Sequence, residues 1–154
     1  MGKGQIFLHD IRKNILLEAK KRLRRAGVQN YQLIQNKDEL FEKFKGKFDW
    51  IILDVPCSGS GTLRRNPDLK WKFSYEKLEE YIHIQEKIFE ESLKLLKPYG
   101  RLVYITCSLF QEENMNQIVK FTKKFGVKIE NDSVFQTVPT AGKMDGFFSV
   151  TLHL

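Results

Sequence analysis

Residues 50–61 read Trp-Ile-Ile-Leu-Asp-Val-Pro-Cys-Ser-Gly-Ser-Gly: an unbroken apolar run, an acid, and then small residues punctuated by glycine. A short continuous apolar run bounded by turn residues predicts a strand buried on both faces, the mark of a parallel sheet. Upstream, Ile6-Phe7-Leu8 predicts a strand ending at His9-Asp10, and Ile15, Leu16, Ala19, Leu23 and Ala26 recur at helical spacing until Gly27 stops the run. Tyr31 to Ile34 predicts a second strand and Glu39 to Phe44 a short helix, which makes Trp50 to Leu53 the third strand. Downstream, a loop from Val55 to Lys72 leads into a long amphipathic helix from Tyr75 to Leu96, stopped by Pro98 and Gly100. Arg101 to Thr106 follows as a fourth strand, Glu112 to Phe125 as a helix ending before Gly126, and Val127 to Ile129 and Phe147 to Leu152 as late strands. This alternation predicts an α/β fold with right-handed crossovers.

The 154 residues suit one core and a single domain, and 42% hydrophobic with 29% charged residues excludes a disordered or fibrous chain. No stretch approaches the ~20 apolar residues of a membrane span, so a cytoplasmic protein is expected. Two cysteines, Cys57 and Cys107, are too few for a disulfide scaffold and are expected as thiols. Lys plus Arg number 26 against 19 Asp plus Glu, and the net +7 favours a polyanionic partner such as nucleic acid. Part of that charge, Lys20, Lys21, Arg22, Arg24 and Arg25 around Leu23, reads as a solvated helix face.

Open α/β sheets bind ligands outside the carboxyl ends of their strands. Three such ends carry reactive residues: Asp10, Asp54 followed by Cys57, and Cys107, so both cysteines fall on one rim. Gly59 and Gly61 are expected to let the backbone approach a ligand. Zinc usually takes four Cys or His ligands, and His9, His83 and His153 have no such spacing around the cysteines, so no metal is expected. A Cys57–Cys107 disulfide requires the sulfurs within bonding distance, and a reducing compartment opposes it. Asp10 suits a carboxylate that hydrogen-bonds ribose hydroxyls, or the N-cap of the helix starting near Arg12. Arg64, Arg65, Lys70 and Lys72 with Trp71 form a basic, aromatic segment suited to phosphates and a stacked base; the alternative is Trp71 packed on the long helix with its charges solvated. Glu112 and Glu113 read as first-turn acids favoured by the helix dipole.

The ordered set Asp54 to Gly61, Arg65-Asn66-Pro67-Asp68, Lys70-Trp71, Gln85, Gly100 to Ser108, Glu112-Glu113-Asn114 and Asp145-Gly146-Phe147-Phe148 resembles the Sun/NOL1/NOP2 family of RNA cytosine-C5 methyltransferases. The resemblance runs from about residue 5 to the C-terminus and corresponds to the C-terminal part of that family's catalytic domain. It implies a Rossmann-like sheet with helices on both faces, S-adenosylmethionine as cofactor, and ribosomal or transfer RNA as substrate. It implies Cys107 as the nucleophile that adds to cytosine C6, Cys57 as the residue that assists release, and Asp54 facing the cytosine N3 and amino group. By the same chemistry, positive charge or backbone donors are expected to depress the pKa of Cys107. On the cofactor side the resemblance implies Asp10, Asn36, Asp54 and Pro56, with Asp38 a second match beside Asn36; on the RNA side it suits Arg64, Arg65, Lys70 and Trp71. The family's first strand and its Gly-rich loop have no counterpart here, and that strand would sit between the Ile6–Leu8 and Trp50–Leu53 strands. Their edges could pair directly, be covered in a homodimer, or be covered by a preceding segment of a longer protein, the last being the expectation. The competing reading is an inactive remnant that binds RNA or a partner chain.

Overall fold

The computed structural model describes residues 4–140 and 144–154, and its contacts cluster into two units, residues 1–45 and 46–154. In the first, β1 (Ile6–His9) and β2 (Tyr31–Ile34) pair in parallel, with Ile6 opposite Tyr31 and His9 opposite Ile34. The crossover between them is α1 (Lys13–Arg25), whose Leu16 is buried and whose last turn carries Arg22, Arg24 and Arg25, where cations suit the helix dipole. Ile15 and Ala26, expected in the apolar stripe, are exposed. The helix α2 (Lys37–Phe44) begins two residues before the predicted start because Asn36 caps it, its side-chain oxygen accepting from the Asp38 amide at 2.9 Å.

The second unit is built on a mixed five-stranded sheet. Its main path runs β3 (Phe48–Asp54), β4 (Leu96–Thr106), β7 (Phe147–His153), β5 (Lys128–Ile129), and β6 (Phe135–Thr137) also pairs with β7. β3 and β4 are parallel, with Asp54 opposite Ile105, and β7 is antiparallel to β4, with Phe148 opposite Thr106. The carboxyl ends of β3 and β4 and the start of β7 therefore share one rim. Beneath it, Leu102, Tyr104 and Thr106 alternate inward toward α4 (Tyr75–Leu93) and α5 (Met115–Phe125). The core centres on Phe89 of α4 stacked on Phe121 of α5 at 4.0 Å, with Tyr104 edge-on to Phe121 at 5.7 Å.

Several boundaries differ from the sequence expectation. Leu53 is buried, but Trp50 is 54% and Ile52 68% exposed. In its sheet β3 is an edge strand, and α4 and α5 cover only the face that Leu53 shares. Among the described residues β1 pairs with β2, and β3 with β4. The long helix ends at Leu93 and not Leu96, because Leu95 and Leu96 turn into the core and Leu96 already pairs with Phe48. Pro98 and Gly100 then lie inside β4, beside a register shift between Phe48 and Trp50 that tolerates a residue without an amide donor. The last helix starts at Met115 and not Glu112, after a turn that buries Glu113 and Asn114. The three residues of β6 are too few to show a period in sequence. A 3-10 turn over Ser60–Thr62 and a one-turn helix, α3 (Leu69–Lys72), interrupt the predicted loop. No helix among the described residues is long and apolar enough to cross a membrane.

The two ends of this burial gradient are separable by experiment. Phe121→Ala is expected to cost about 3–5 kcal/mol in denaturant unfolding. Ile52→Ala, on the exposed face, is expected to stay within about 0.5 kcal/mol.

Candidate active site

At the rim of the larger sheet the loop after β3 and the loop after β4 are stitched together. Gly61 donates its amide to the Cys107 carbonyl at 2.9 Å, and the Gly146 amide donates to the Gly61 carbonyl at 2.9 Å. A Cβ on Gly61 would lie 2.5 Å from the Gly146 carbonyl oxygen and 2.8 Å from that of Cys107, so only glycine fits. Gly59 adopts φ +69°, the left-handed conformation that starts the 3-10 turn. The sequence expectation that these glycines admit a ligand is thus corrected for Gly61, which admits two other segments of the chain.

The stitching places the two cysteines against each other, Sγ to Sγ at 3.3 Å, both half-buried and both free thiols. They do not titrate alike. The hydrogen bond from Cys57 brings Cys107 down to about 7, against burial and the Asp54 and Glu113 carboxylates, which push it up; its own backbone amide helps. Cys57 is pushed far above the ordinary thiol range, first by that same bond and then by burial. The geometry lets either sulfur donate to the other, and a raised Cys57 beside a lowered Cys107 makes Cys57 the donor when the pair carries one thiolate. The expected lowering of Cys107 is found, but its main cause is the neighbouring thiol and not a positive charge.

Beneath the pair lies a buried polar network. Glu113, fully buried, accepts from the Ser58 amide at 2.9 Å, from the Ser58 hydroxyl at 2.5 Å and from Gln85 Nε2 at 3.0 Å. Gln85 Nε2 also donates to the Pro56 carbonyl at 2.9 Å, and Gln117 Nε2 to Gln85 Oε1 at 3.2 Å. The Tyr104 hydroxyl lies 2.9 Å from the Glu113 carbonyl and 3.1 Å from Gln85 Oε1; burial and the Glu113 charge raise its pKa. On the other loop, Asn114 accepts from the Thr106 hydroxyl at 2.6 Å and donates to the Ser108 carbonyl at 2.9 Å. The hydroxyls of Ser58, Ser60 and Ser108 bridge the two loops within 3.1 to 3.3 Å. No buried side-chain nitrogen or oxygen among the described residues lacks a partner.

This network is what sequence reasoning missed. Glu113 is a ligand of the Cys57 loop and not a dipole-compensating first-turn acid. Gln85 did leave a signal: it falls on the same helical stripe as Leu78, Phe89 and Ser92, all buried, where a polar residue must have a partner.

The remaining site residues lie as follows. Asp54 ends β3 and is exposed, as is Pro56. Arg64 and Arg65 both pair with Asp145, whose side chain is 16% exposed. Trp71 is 83% exposed, with Lys70 Nζ 5.4 Å from its ring, so it does not pack on the long helix. In the smaller unit, Asp10 and Asn36 stand at the carboxyl ends of the adjacent strands β1 and β2. Asp10 accepts from the amide and guanidinium of Arg12, which hold its carboxyl below the usual range; the helix N-cap is Arg12 itself and not Asp10. No group of three or more His, Cys, Asp or Glu among the described residues could hold a metal ion.

Comparison with known proteins gives a consistent answer. The family described as 16S rRNA methyltransferase RsmB/F matches residues 1–153. Ribosomal RNA small subunit methyltransferase B of Shewanella oneidensis is 37% identical over 115 residues, 69% of this chain and 27% of the relative. The protein of the same name from Proteus mirabilis is 33% identical over 154 residues, 98% of this chain and 36% of the relative. This chain thus spans about a quarter to a third of these relatives. Among solved structures, a methyltransferase homologue from Pyrococcus horikoshii superposes with a TM-score of 0.80 at 28% identity, covering 98% of this chain and 54% of the other. The fold is accordingly the expected Rossmann-like methyltransferase sheet flanked by helices.

Alkylation of Cys107, followed against pH by mass spectrometry, is expected to have its midpoint near 7. Cys57→Ala removes the donor while burial and the two carboxylates remain, and is expected to move that midpoint up to or above about 8.5, the ordinary thiol value.

Proposed function

The chain belongs to the 16S rRNA methyltransferase RsmB/F family, and from that premise we propose that it carries the catalytic rim of an enzyme that methylates C5 of a cytosine in ribosomal RNA. The observation that carries the reading is the 3.3 Å pair of thiols at the shared strand ends, with Cys107 lowered to about 7 and Cys57 raised. A cytosine C5 is a poor nucleophile, and a group poised as a thiolate near neutral pH is what remedies that. A module that merely binds RNA has no chemical use for it.

When bound, S-adenosylmethionine supplies an electrophilic methyl group on its sulfonium. The donor set at the β1–β2 rim fits part of that molecule: the Asp10 carboxylate, 21% exposed, suits ribose hydroxyls, and the Asn36 amide suits adenine. In this reading Asp54 faces the cytosine N3 and amino group. The Cys107 thiolate forms the Sγ–C6 bond and sends the C5–C6 electron pair to C5, where a bound S-adenosylmethionine would supply the methyl group, the S–CH3 bond breaking and its sulfur leaving as a neutral thioether. Loss of the C5 proton to a base restores the double bond and expels Cys107 as a thiolate. Cys57 holds a proton within hydrogen-bonding distance of that sulfur, so it stabilises the departing thiolate, which is a physical basis for its part in release. Lys70 and the exposed face of Trp71 offer a cation and a stacking platform to RNA, while Arg64 and Arg65 reach it by exchanging Asp145 for phosphate. The exposed edge and outer face of β3 are covered, in this reading, by a preceding segment of a longer protein.

Cys107→Ser is expected to abolish methyl transfer to RNA, and Cys57→Ala to accumulate a covalent protein–RNA adduct visible as a slow band in a denaturing gel. A Cys107→Ser protein that still methylates would sink the assignment of the nucleophile.

A further inference from the structure

Cys57 is held from both sides by one pair of buried side chains. The carbonyl of Pro56, the residue before it, accepts from Gln85 Nε2 at 2.9 Å. The amide and hydroxyl of Ser58, the residue after it, donate to the two oxygens of Glu113. Gln85 and Glu113 are themselves joined at 3.0 Å and are both fully buried, so the two clamps move as one body. Tyr104 and Gln117 fix the far side of Gln85. All four of these side chains are buried.

We infer that Glu113, acting with Gln85, is a positioning residue: it fixes the backbone on either side of Cys57 and thereby sets that thiol opposite Cys107. The inference rests on the methyl-transfer reading only for its meaning, not for its geometry. The titratable groups facing the cysteine pair are Asp54 from the end of β3, Tyr104 from β4 and Glu113 from the turn before α5. Both carboxylates push Cys107 up, so a lowered Cys107 depends on where Cys57 sits. Losing the Glu113 side chain removes a charge that opposes the thiolate, and by Coulomb's law alone would make Cys107 more reactive. The positioning role has the opposite sign, and the sign is what the experiment reads.

The test is iodoacetamide alkylation of Cys107 in the chain as it stands, followed by mass spectrometry, with circular dichroism as the check of folding. Glu113→Ala is expected to slow alkylation at pH 7 about ten-fold, as Cys57→Ala does, and the double variant to slow it no further. Glu113→Gln, whose amide oxygen still accepts from the Ser58 amide and whose nitrogen can donate to its hydroxyl, is expected to stay within about two-fold of the parent or to react faster. If Glu113→Ala does not fold, Ser58→Ala replaces it; it keeps the amide contact to Glu113 and loses the hydroxyl's contacts with Glu113, Ser60 and Ser108, and is expected to slow alkylation about three-fold. Unchanged or faster alkylation in the folded Glu113→Ala or, where that does not fold, in Ser58→Ala would overturn the inference. So would slowing that adds in full to that of Cys57→Ala. The assay uses neither RNA nor a methyl donor, so its failure leaves the methyl-transfer reading standing.

Discussion

A carboxylate taken wholly out of water must find donors or give up its charge, and Glu113 finds three: the amide and hydroxyl of Ser58 and the side-chain amide of Gln85. That requirement organises the whole rim. It ties the loop after β3 to the turn that enters α5, and through Gln85 it ties both to the long helix beneath the sheet. Cys57, whose sulfur lies 3.3 Å from that of Cys107, sits between the two residues that this tie holds.

The reactive asymmetry of the pair follows from its surroundings. With two carboxylates nearby and no cation among its causes, Cys107 would be an ordinary or weakly acidic thiol; a single hydrogen bond from Cys57 outweighs them. The fold supplies that bond without either sulfur being a core residue, because parallel pairing of β3 with β4 brings their carboxyl ends to the same rim. Antiparallel β7 adds the third strand of the stitch through Gly146, against which Gly61 packs too closely for any side chain.

Much of this was legible in sequence. The strand ends at Asp10, Asp54 and Cys107 follow from apolar runs and their turn residues, and a parallel sheet then brings Cys57 and Cys107 together. The motif order pointed to the family that the comparisons show. What escaped was set by contacts distant in sequence. Nothing near Glu113 distinguishes it from Glu112, yet one is fully buried and the other exposed. The Gly61–Gly146 contact joins residues with no local signal of each other. The end of α4 at Leu93 was hidden because Leu95 and Leu96 continue an apolar pattern while changing from helix to strand. The run Trp50-Ile51-Ile52-Leu53 reads as buried on both faces, while in this chain Trp50 and Ile52 are exposed, because an edge strand can carry the same apolar run.

In the proposed mechanism Cys107 forms the covalent bond while Cys57 serves it. The direct measurement is incubation with S-adenosylmethionine and RNA whose cytosines carry fluorine at C5, where no proton can leave and the adduct is trapped, followed by digestion and mass spectrometry of the cross-linked peptide. The expected product is a methylated nucleotide attached to Cys107. Attachment to Cys57, or an adduct that still forms in Cys107→Ser, would contradict that mechanism.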